Sequence, residues 1–516
     1  MNRMRTTIAM VLSVFLILAV FSEGGGAQPD ARPAIRVRLQ FARAGGVFDP
    51  ARWRYTSDWF VYPNLFNWLL RWKPGPAPSV LEPDLAEKWS VSPDGLTYTF
   101  TLRKGVQLTK GYGELTADDV AFSFQRQMDD PKMSFHHALE NVKSVEAVDK
   151  HTVRITLKQR DGSFLWTVIS YRPGLIVSKR AVQRLGDGFA RSPVGTGPFE
   201  FVALTPQGEV VVRANDAYFR GKPAVRQITF VHIADENTAA EALRHGDVQV
   251  IWTRGNPEVV KILRGDPKVR TVRVIEYYNL FQVQFSWRFR PTQDVRVRRA
   301  LAYAIDRRAI AGALPGLDEM ADVMRPPQLF GGTRDVPTYP YDANKARQLL
   351  REAGYPDGFP VTLMIQNREP ETTVAQILAA QWRAVGLAVR LSVLDPTAAF
   401  DQRDKGEFDI TISATARPGD PHLFFWDVFD SEAFPPYGSN YFHYTDADNL
   451  IEAGRITLDE GRRAQIYRAL QRKLMTDLPI IPLFYRAYVL AMTDPVVSMT
   501  PGAFSMFWGE TIKVRR

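Results

Sequence analysis

Period-two segments and helical segments alternate along this chain from residue 34 to residue 493, with no repeat and no low-complexity linker between them. That alternation restricts the fold to layered α/β or α+β architectures. In the first half, residues 34–41, 96–103, 153–158, 210–213, 227–231 and 248–252 read as strands. The turn Ser92-Pro93-Asp94-Gly95 feeds the second of these, and a capping box at Thr116-Ala117-Asp118-Asp119 opens a helix through Met128. Residues 65–72 read as an apolar helical stretch, and 236–244 as a helix between two strands. The second half starts near Tyr277. Residues 280–287 read as a strand, followed by one helix from its Asp294 cap to about Ala313. Asp342 caps a helix over 343–353, and Gly354 closes it in left-handed backbone. Strands at 361–366, 388–394 and 409–414 with a helix at 373–385 make an α/β unit. A helix over 459–477, stopped by Pro479, leads into a strand at 480–493. The natural break is 273–287, and 483–492 looks like a second crossing that returns the tail to the first half. Two extended crossings between two lobes would form a hinge.

The N-terminus follows another pattern. Arg3 and Arg5 precede an apolar run over 8–21, broken only by Ser13, and then Ser22-Glu23-Gly24-Gly25-Gly26-Ala27. Basic, apolar and small segments in that order read as a secretory signal cut after Ala27. The run is shorter than the ~20 residues of a spanning helix. The chain has 0 Cys. An exported protein is free to form disulfides; this one has none, and no cysteine to carry a lipid anchor. A mature chain of about 490 residues buries a core large enough without such staples. The expectation is a soluble protein, free in a bacterial periplasm. Net charge is +9, or +8 once Arg3, Arg5 and Glu23 leave with the signal. Basic and acidic residues interleave with no long single-sign block, which argues against a nucleic-acid surface and for a mild preference for anionic surroundings.

Catalytic signatures are missing. No phosphate loop, nucleophile elbow or His-Glu-x-x-His occurs. Gly195-Thr196-Gly197 begins like a dinucleotide loop, and Pro198-Phe199-Glu200 ends the pattern. A metal would rest on 7 His and on carboxylates. His136 and His137 are adjacent and so point to different sides of their element. His422 and His443 read as pocket liners or packed histidines. The expectation is a protein that is not an enzyme and holds no metal and no cofactor; scattered carboxylates that meet in space remain the open enzymatic arrangement.

Several strings then occur in a telling order. Phe48-Asp49-Pro50 and Leu65-Phe66-Asn67-Trp68-Leu69-Leu70 come first. Pro83-Asp84-Leu85-Ala86-Glu87-Lys88-Trp89, Asp94-Gly95-Leu96-Thr97-Tyr98-Thr99-Phe100, Leu102-Arg103-Lys104-Gly105 and Leu115-Thr116-Ala117-Asp118-Asp119-Val120 follow. Gly195-Thr196-Gly197-Pro198-Phe199, Asp294-Val295-Arg296-Val297-Arg298-Arg299-Ala300-Leu301, Ala304-Ile305-Asp306-Arg307, Ala353-Gly354-Tyr355 and Pro479-Ile480-Ile481-Pro482-Leu483 complete the set. From Phe48 to Tyr485 the chain resembles the family 5 extracellular solute-binding proteins, the dipeptide-, oligopeptide- and nickel-binding components of ABC importers. Most of these residues have plain structural readings: the glycines and Pro198 shape a turn, and Trp89, Tyr98 and Phe100 are core.

The resemblance implies an α/β (α+β), two-lobe periplasmic-binding-protein-like fold of the large cluster, with an extra subdomain in lobe I and hinge strands between lobes. The segments would be 1–27 signal peptide, 28–278 lobe I with an inserted subdomain at about 60–190, 279–488 lobe II, and 489–516 a return to lobe I. Ligand would stabilise the closed form by touching both lobes there. The implied partners are a small-molecule solute, peptide or peptide-like, and the permease subunits of an ABC importer. No nucleic acid is implied, and the chain would be a monomer.

The resemblance also implies site residues. Tyr55, Thr56 and Ser57 lie after the Asp-Pro; Phe135 and His137 lie in a second segment; Tyr485 lies on the returning strand, where contact and packing are equally good readings. Peptide-binding members carry a Trp and then an Asp just before an acidic residue and Pro, and that Asp pairs with the peptide amine. Anchored on Asp420-Pro421, the Asp position falls on Arg417 and the Trp position on Ala414. An ammonium beside a guanidinium in a low-dielectric cleft is repelled by several kcal/mol before screening, so a free peptide amine needs another acid, for which Asp420 is the candidate. Arg417 itself has two readings: an ion pair with Asp409 or Asp420, or a contact to a carboxylate or phosphate of the ligand. The leading expectation is a periplasmic component capturing peptide or peptide-like solutes. The alternatives are an anionic non-peptide solute (opine, sugar acid) or nickel chelate, to which Pro418-Gly419-Asp420-Pro421-His422 is similar in nickel-binding relatives, and a hydrolase or chaperone on the same scaffold.

Overall fold

The computed structural model describes residues 30–39, 46–53, 58–75, 80–254, 256–316, 318–417, 419–503 and 506–515. The expected signal segment and Tyr55, Thr56 and Ser57 lie outside them. Met1–Arg32 is one unit, described only over 30–32, where the Arg32 guanidinium donates to the Asp30 carboxylate at 2.6 and 2.9 Å. Pro33–Arg516 is the second unit.

In that second unit the described residues build an 11-stranded sheet. Its order is Phe199–Leu204, Val210–Ala214, Gln227–His232, Ala34–Leu39, Val250–Thr253, Ile480–Met492, Arg270–Phe285, Ile410–Ala416, Pro360–Gln366 and Ala388–Leu394, with Asp318–Met320 also paired to Ile480–Met492. Mixed pairing with helices on the strands is the layered α/β arrangement that the alternation predicts. A separate four-stranded sheet, Ala86–Val91, Thr97–Leu102, Thr152–Leu157 and Val142–Asp149, packs with the helix Ala117–Met128. Its Phe100, Val153 and Ile155 belong to the same core as the first half of the large sheet.

Buried apolar side chains fall into two large clusters. The first draws on residues 35–274 and 488–512, the second on 280–485. The changeover therefore lies twice on the pair of long strands Arg270–Phe285 and Ile480–Met492. These pair antiparallel, and their rings stack at Phe281–Phe484, 4.6 Å apart. Every residue of Ile480–Met492 is buried except Arg486. The pairing slips twice, by one residue between Phe281 and Gln282 and more widely before that: Ile275 is opposite Ala487, and the next matched pair is Leu280 with Tyr485. Glu276, Tyr277, Tyr278 and Asn279 thus stand opposite Arg486 alone. Such a bulge bends the strand and re-aims its side chains.

Four sequence expectations are corrected. Trp89, expected in the core, is 37% exposed on the outer part of its strand. Residues 65–72 are not one helix: the helix Asp58–Leu65 ends, and Leu70–Trp72 is a strand paired with Leu81–Pro83. The buried Asp84 carboxylate accepts the Trp68 N–H at 3.0 Å and the Asn67 amide at 3.1 Å, which takes the backbone out of the helical ladder. The helix expected from Asp294 to Ala313 is two, Val295–Tyr303 and Arg307–Ala313, because Asp306 caps the second by accepting from Arg308 N at 3.0 Å. The strand expected from residue 280 begins at Arg270. The helix Pro421–Phe429, capped by Asp420, and the helix Pro396–Asp404 were not anticipated.

Candidate functional site

The bulge is where the chain gathers charge. Glu276 is 1% exposed. Its carboxylate accepts from Arg254 Nη2 at 3.0 Å, from the Tyr278 hydroxyl at 2.6 Å and from Asn279 Nδ2 at 2.9 Å. Arg254 also lies 5.2 Å from the Tyr488 ring centre. Opposite stands Arg486, half-buried, its side chain with no hydrogen bond or ion pair among the described residues. Burial pushes its guanidinium down to about 10; the Glu371 and Glu276 carboxylates oppose that shift, and the Arg254 and Arg368 guanidiniums add to it. Glu371 is buried, with one oxygen 2.7 Å from Arg368 Nη2. Its Oε2 and the Asn279 Oδ1 are buried without a donor. Among these side chains guanidiniums outnumber carboxylates.

Arg417 closes the next side. Its backbone N–H donates to Tyr278 O at 3.1 Å and its Nη1 to Ala416 O at 3.0 Å. Its counterion is Asp427, at 2.9 Å and off hydrogen-bonding angle. The expectation of Asp409 or Asp420 in that role is corrected: Asp409 accepts the Thr362 N–H at 2.7 Å, and Asp420 pairs with Arg463 at 2.5 and 2.6 Å. Asp420 also caps Pro421–Phe429 by accepting from His422 N at 2.8 Å. Both residues of the Asp420–Arg463 pair are buried, and Arg325 lies behind it with Nη2 on Gly419 O at 3.2 Å.

The other predicted residues sit apart from this knot. Tyr485 is buried, its hydroxyl donating to Val323 O at 2.7 Å and its ring edge-on to Tyr277 at 5.5 Å. Strand alternation turns its neighbour Arg486 to the opposite face. Phe135 stacks on Trp53 at 6.1 Å, and Arg172 lies 4.2 Å from the Trp53 ring centre. The Arg172 guanidinium is also 5.2 Å from Tyr171, which stacks on Trp72 at 5.1 Å. His137 is exposed and pairs with Glu140 at 2.7 Å. His136 and His137 rings lie 5.5 Å apart at 79°, and no cluster of three or more metal-binding side chains occurs among the described residues.

Both cores contribute walls. The Gly162 N–H donates to Arg455 O at 2.7 Å. Gly419, at φ +77°, lies so close to Trp72 that a Cβ there would stand 3.1 Å from the ring. A cavity of 550 Å³ is walled by Trp89, Tyr98 and Trp166 on one side and Phe330, Leu458 and Arg463 on the other. A second, of 470 Å³, lies between Asp235, Glu236 and Asn256 and Leu314, Glu369 and Thr373. Both straddle the cores, the usual position of a ligand site between domains.

The middle portion of the bacterial extracellular solute-binding proteins, family 5, matches residues 80–435. The chain belongs to this family. It is a solute-binding component of the ABC-importer type. This solute-binding protein is 30% identical over 513 residues to Di/tripeptide-binding protein 2 of Pseudomonas aeruginosa, spanning 93% of this chain and 94% of the relative. It is 30% identical over 482 residues to Heme-binding protein A of Haemophilus influenzae, spanning 87% of each. Its fold matches MoaA of A. tumefaciens R10 in complex with mannopinic acid, with a TM-score of 0.76 and 28% identity over 94% of this chain and 100% of that one. The relatives are binding proteins. No helix among the described residues is long and apolar enough to cross a membrane.

Sequence reasoning did not single out Arg254, Glu276, Arg368, Glu371 or Arg486. One of them carried a signal: Arg486 is the lone charge inside the apolar run 480–492, and a charged side chain in a buried strand is uncommon unless it is partnered or used.

Proposed function

We propose that this solute-binding protein works in the periplasm as a monomer, released from a cleaved signal peptide, and carries peptides or peptide-like solutes to the permease of an ABC importer. It performs no reaction on them. The observation that carries this reading is the polar knot at the bulge, where the strands linking the two cores leave donors and acceptors unpaired. A solute held there would touch both lobes, 28–278 and 279–488, and so stabilise the closed arrangement relative to the open one. Of the residues to which the family resemblance points, Phe135 belongs to the first lobe and Arg417 to the second. Capture near ~1 μM corresponds to about −8 kcal/mol, part of which biases closure. Small-angle scattering with a panel of di- and tripeptides tests the reading: a saturating peptide compacts the protein, and saturation without compaction refutes the two-lobe mechanism. The second reading is an anionic non-peptide solute. The excess of guanidiniums at the bulge favours it, as does likeness to a mannopinic acid complex. Competition between peptides and opine-type acids separates the two.

A further inference from the structure

Three buried arginines elsewhere in this chain use their donors within the protein, and a fourth, Arg403, lies against the Phe400 and Tyr441 rings. Arg38 donates to the carbonyl oxygens of Ile233, Trp252 and Ala234 at 2.6 to 2.8 Å. Arg298 donates to those of Thr292, Gln293, Asp477 and Leu478. Arg463 has Asp420. Arg486 has none of this among the described residues, although it sits in a strand that is otherwise buried throughout. The charged groups facing it are the carboxylates of Glu371 and Glu276 and the guanidiniums of Arg254 and Arg368. Both carboxylates are engaged: Glu276 by Arg254, Tyr278 and Asn279, and Glu371 through one oxygen by Arg368. A partly desolvated guanidinium whose neighbouring carboxylates are engaged elsewhere gains from an incoming anion, and a carboxylate matches its planar donors at two points. Beside it, Glu371 Oε2 and Asn279 Oδ1 are buried acceptors that lack donors.

We propose that Arg486 anchors a carboxylate of the captured solute, flanked by Arg254 and Arg368, and that Glu371 Oε2 and Asn279 Oδ1 receive the solute's N–H groups. The solute class is then a molecule with a free carboxylate and an amine or amide nitrogen close by. This rests on the reading of the bulge as the capture site. Since Arg486 lies on the strand shared by both cores, the anion engages the segment where the two halves join.

The test is a thermal-shift and calorimetric comparison of the full protein with Arg486→Gln and Arg486→Lys. The probes are dipeptides, their C-terminal amides, and opine-type acids with their neutral amides. In the parent, free acids bind about 100-fold tighter than amides; Arg486→Gln removes that difference and Arg486→Lys restores part of it. The unliganded Arg486→Gln protein melts no lower than the parent, which shows that it folds. If only non-peptide acids bind the parent and lose affinity in Arg486→Gln, the anchor stands and the peptide reading falls. The anchor is overturned if Arg486→Gln keeps the acid-over-amide preference, if amides bind the parent as well as acids do, or if no acid in the set binds the parent.

Discussion

Two arginine sites in this chain, about twenty residues apart in sequence, solve the burial of a cation in opposite ways. Arg463 lies against Asp420 in a bidentate pair, with Gly454 O taking its remaining Nε at 2.7 Å. Arg486 lies opposite a bulge, among groups already engaged with one another. The first is closed chemistry: it holds the start of the Pro421–Phe429 helix in the wall. The second is open chemistry, completed only by something that is not part of the chain. A buried charge marks structure when its counterion is internal and marks a site when it is not.

The comparison breaks first at Asp420. Asp420→Ala removes both a counterion and a helix cap, and should cost about 3–5 kcal/mol in denaturant unfolding. Arg463→Met in the same protein should recover most of that loss, since the uncompensated charge then goes too. A loss below about 1 kcal/mol would mean that Arg463 reaches solvent. Gly419→Ala comes next. Its left-handed backbone and the nearby Trp72 ring put the cost at about 1–3 kcal/mol, with a more open solution form by small-angle scattering. An unchanged profile would remove Gly419 from the contact between the halves.

Asp430 is the anionic counterpart of Arg486. It is buried and caps residues 431–433 by accepting from Glu432 N at 3.0 Å. Burial, helped by the neighbouring Asp448, Glu432 and Glu452 carboxylates, pushes its carboxyl up to about 6 from an ordinary value of 3.8. The folded state therefore prefers the protonated form. Its penalty is absent below the unfolded value, grows as pH rises from 3.8 to about 6, and is constant above. Asp430→Asn keeps the cap and should add about 1 kcal/mol at pH 7, a gain that vanishes near pH 4. Equal gains at both pH values would show that the carboxylate is not the cause. The smallest effect belongs to Arg486→Met: unliganded stability should stay within about 1 kcal/mol of the parent, because no internal partner is lost. A drop as large as that of Asp420→Ala would make Arg486 structural after all.

Much of the fold was legible in local pattern. The capping box at Thr116 and Asp119, the Asp342 and Asp459 caps, and the apolar run from Ile480 onward each announce an element within a few residues of where it lies. The misreadings share a cause. The chain leaves the helix after Phe66 where Asp84, sixteen residues past Trp68, takes the Trp68 N–H and the Asn67 side-chain amide, and Arg417 finds Asp427 rather than either acid nearer to hand. Tyr485 was legible as a residue of the returning strand. That its face is packed, while Arg486 turns the other way, depends on register against a strand about two hundred residues earlier.

Composition and periodicity alone determined the layered α/β class, the self-sufficient core without disulfides and the ordered strings of the family, because each is written in neighbouring residues. The tertiary structure alone decided which charges are spent and which are free. A counterion is chosen by distance in space, and a four-against-one slip between Arg270–Phe285 and Ile480–Met492 exists only once those strands have met.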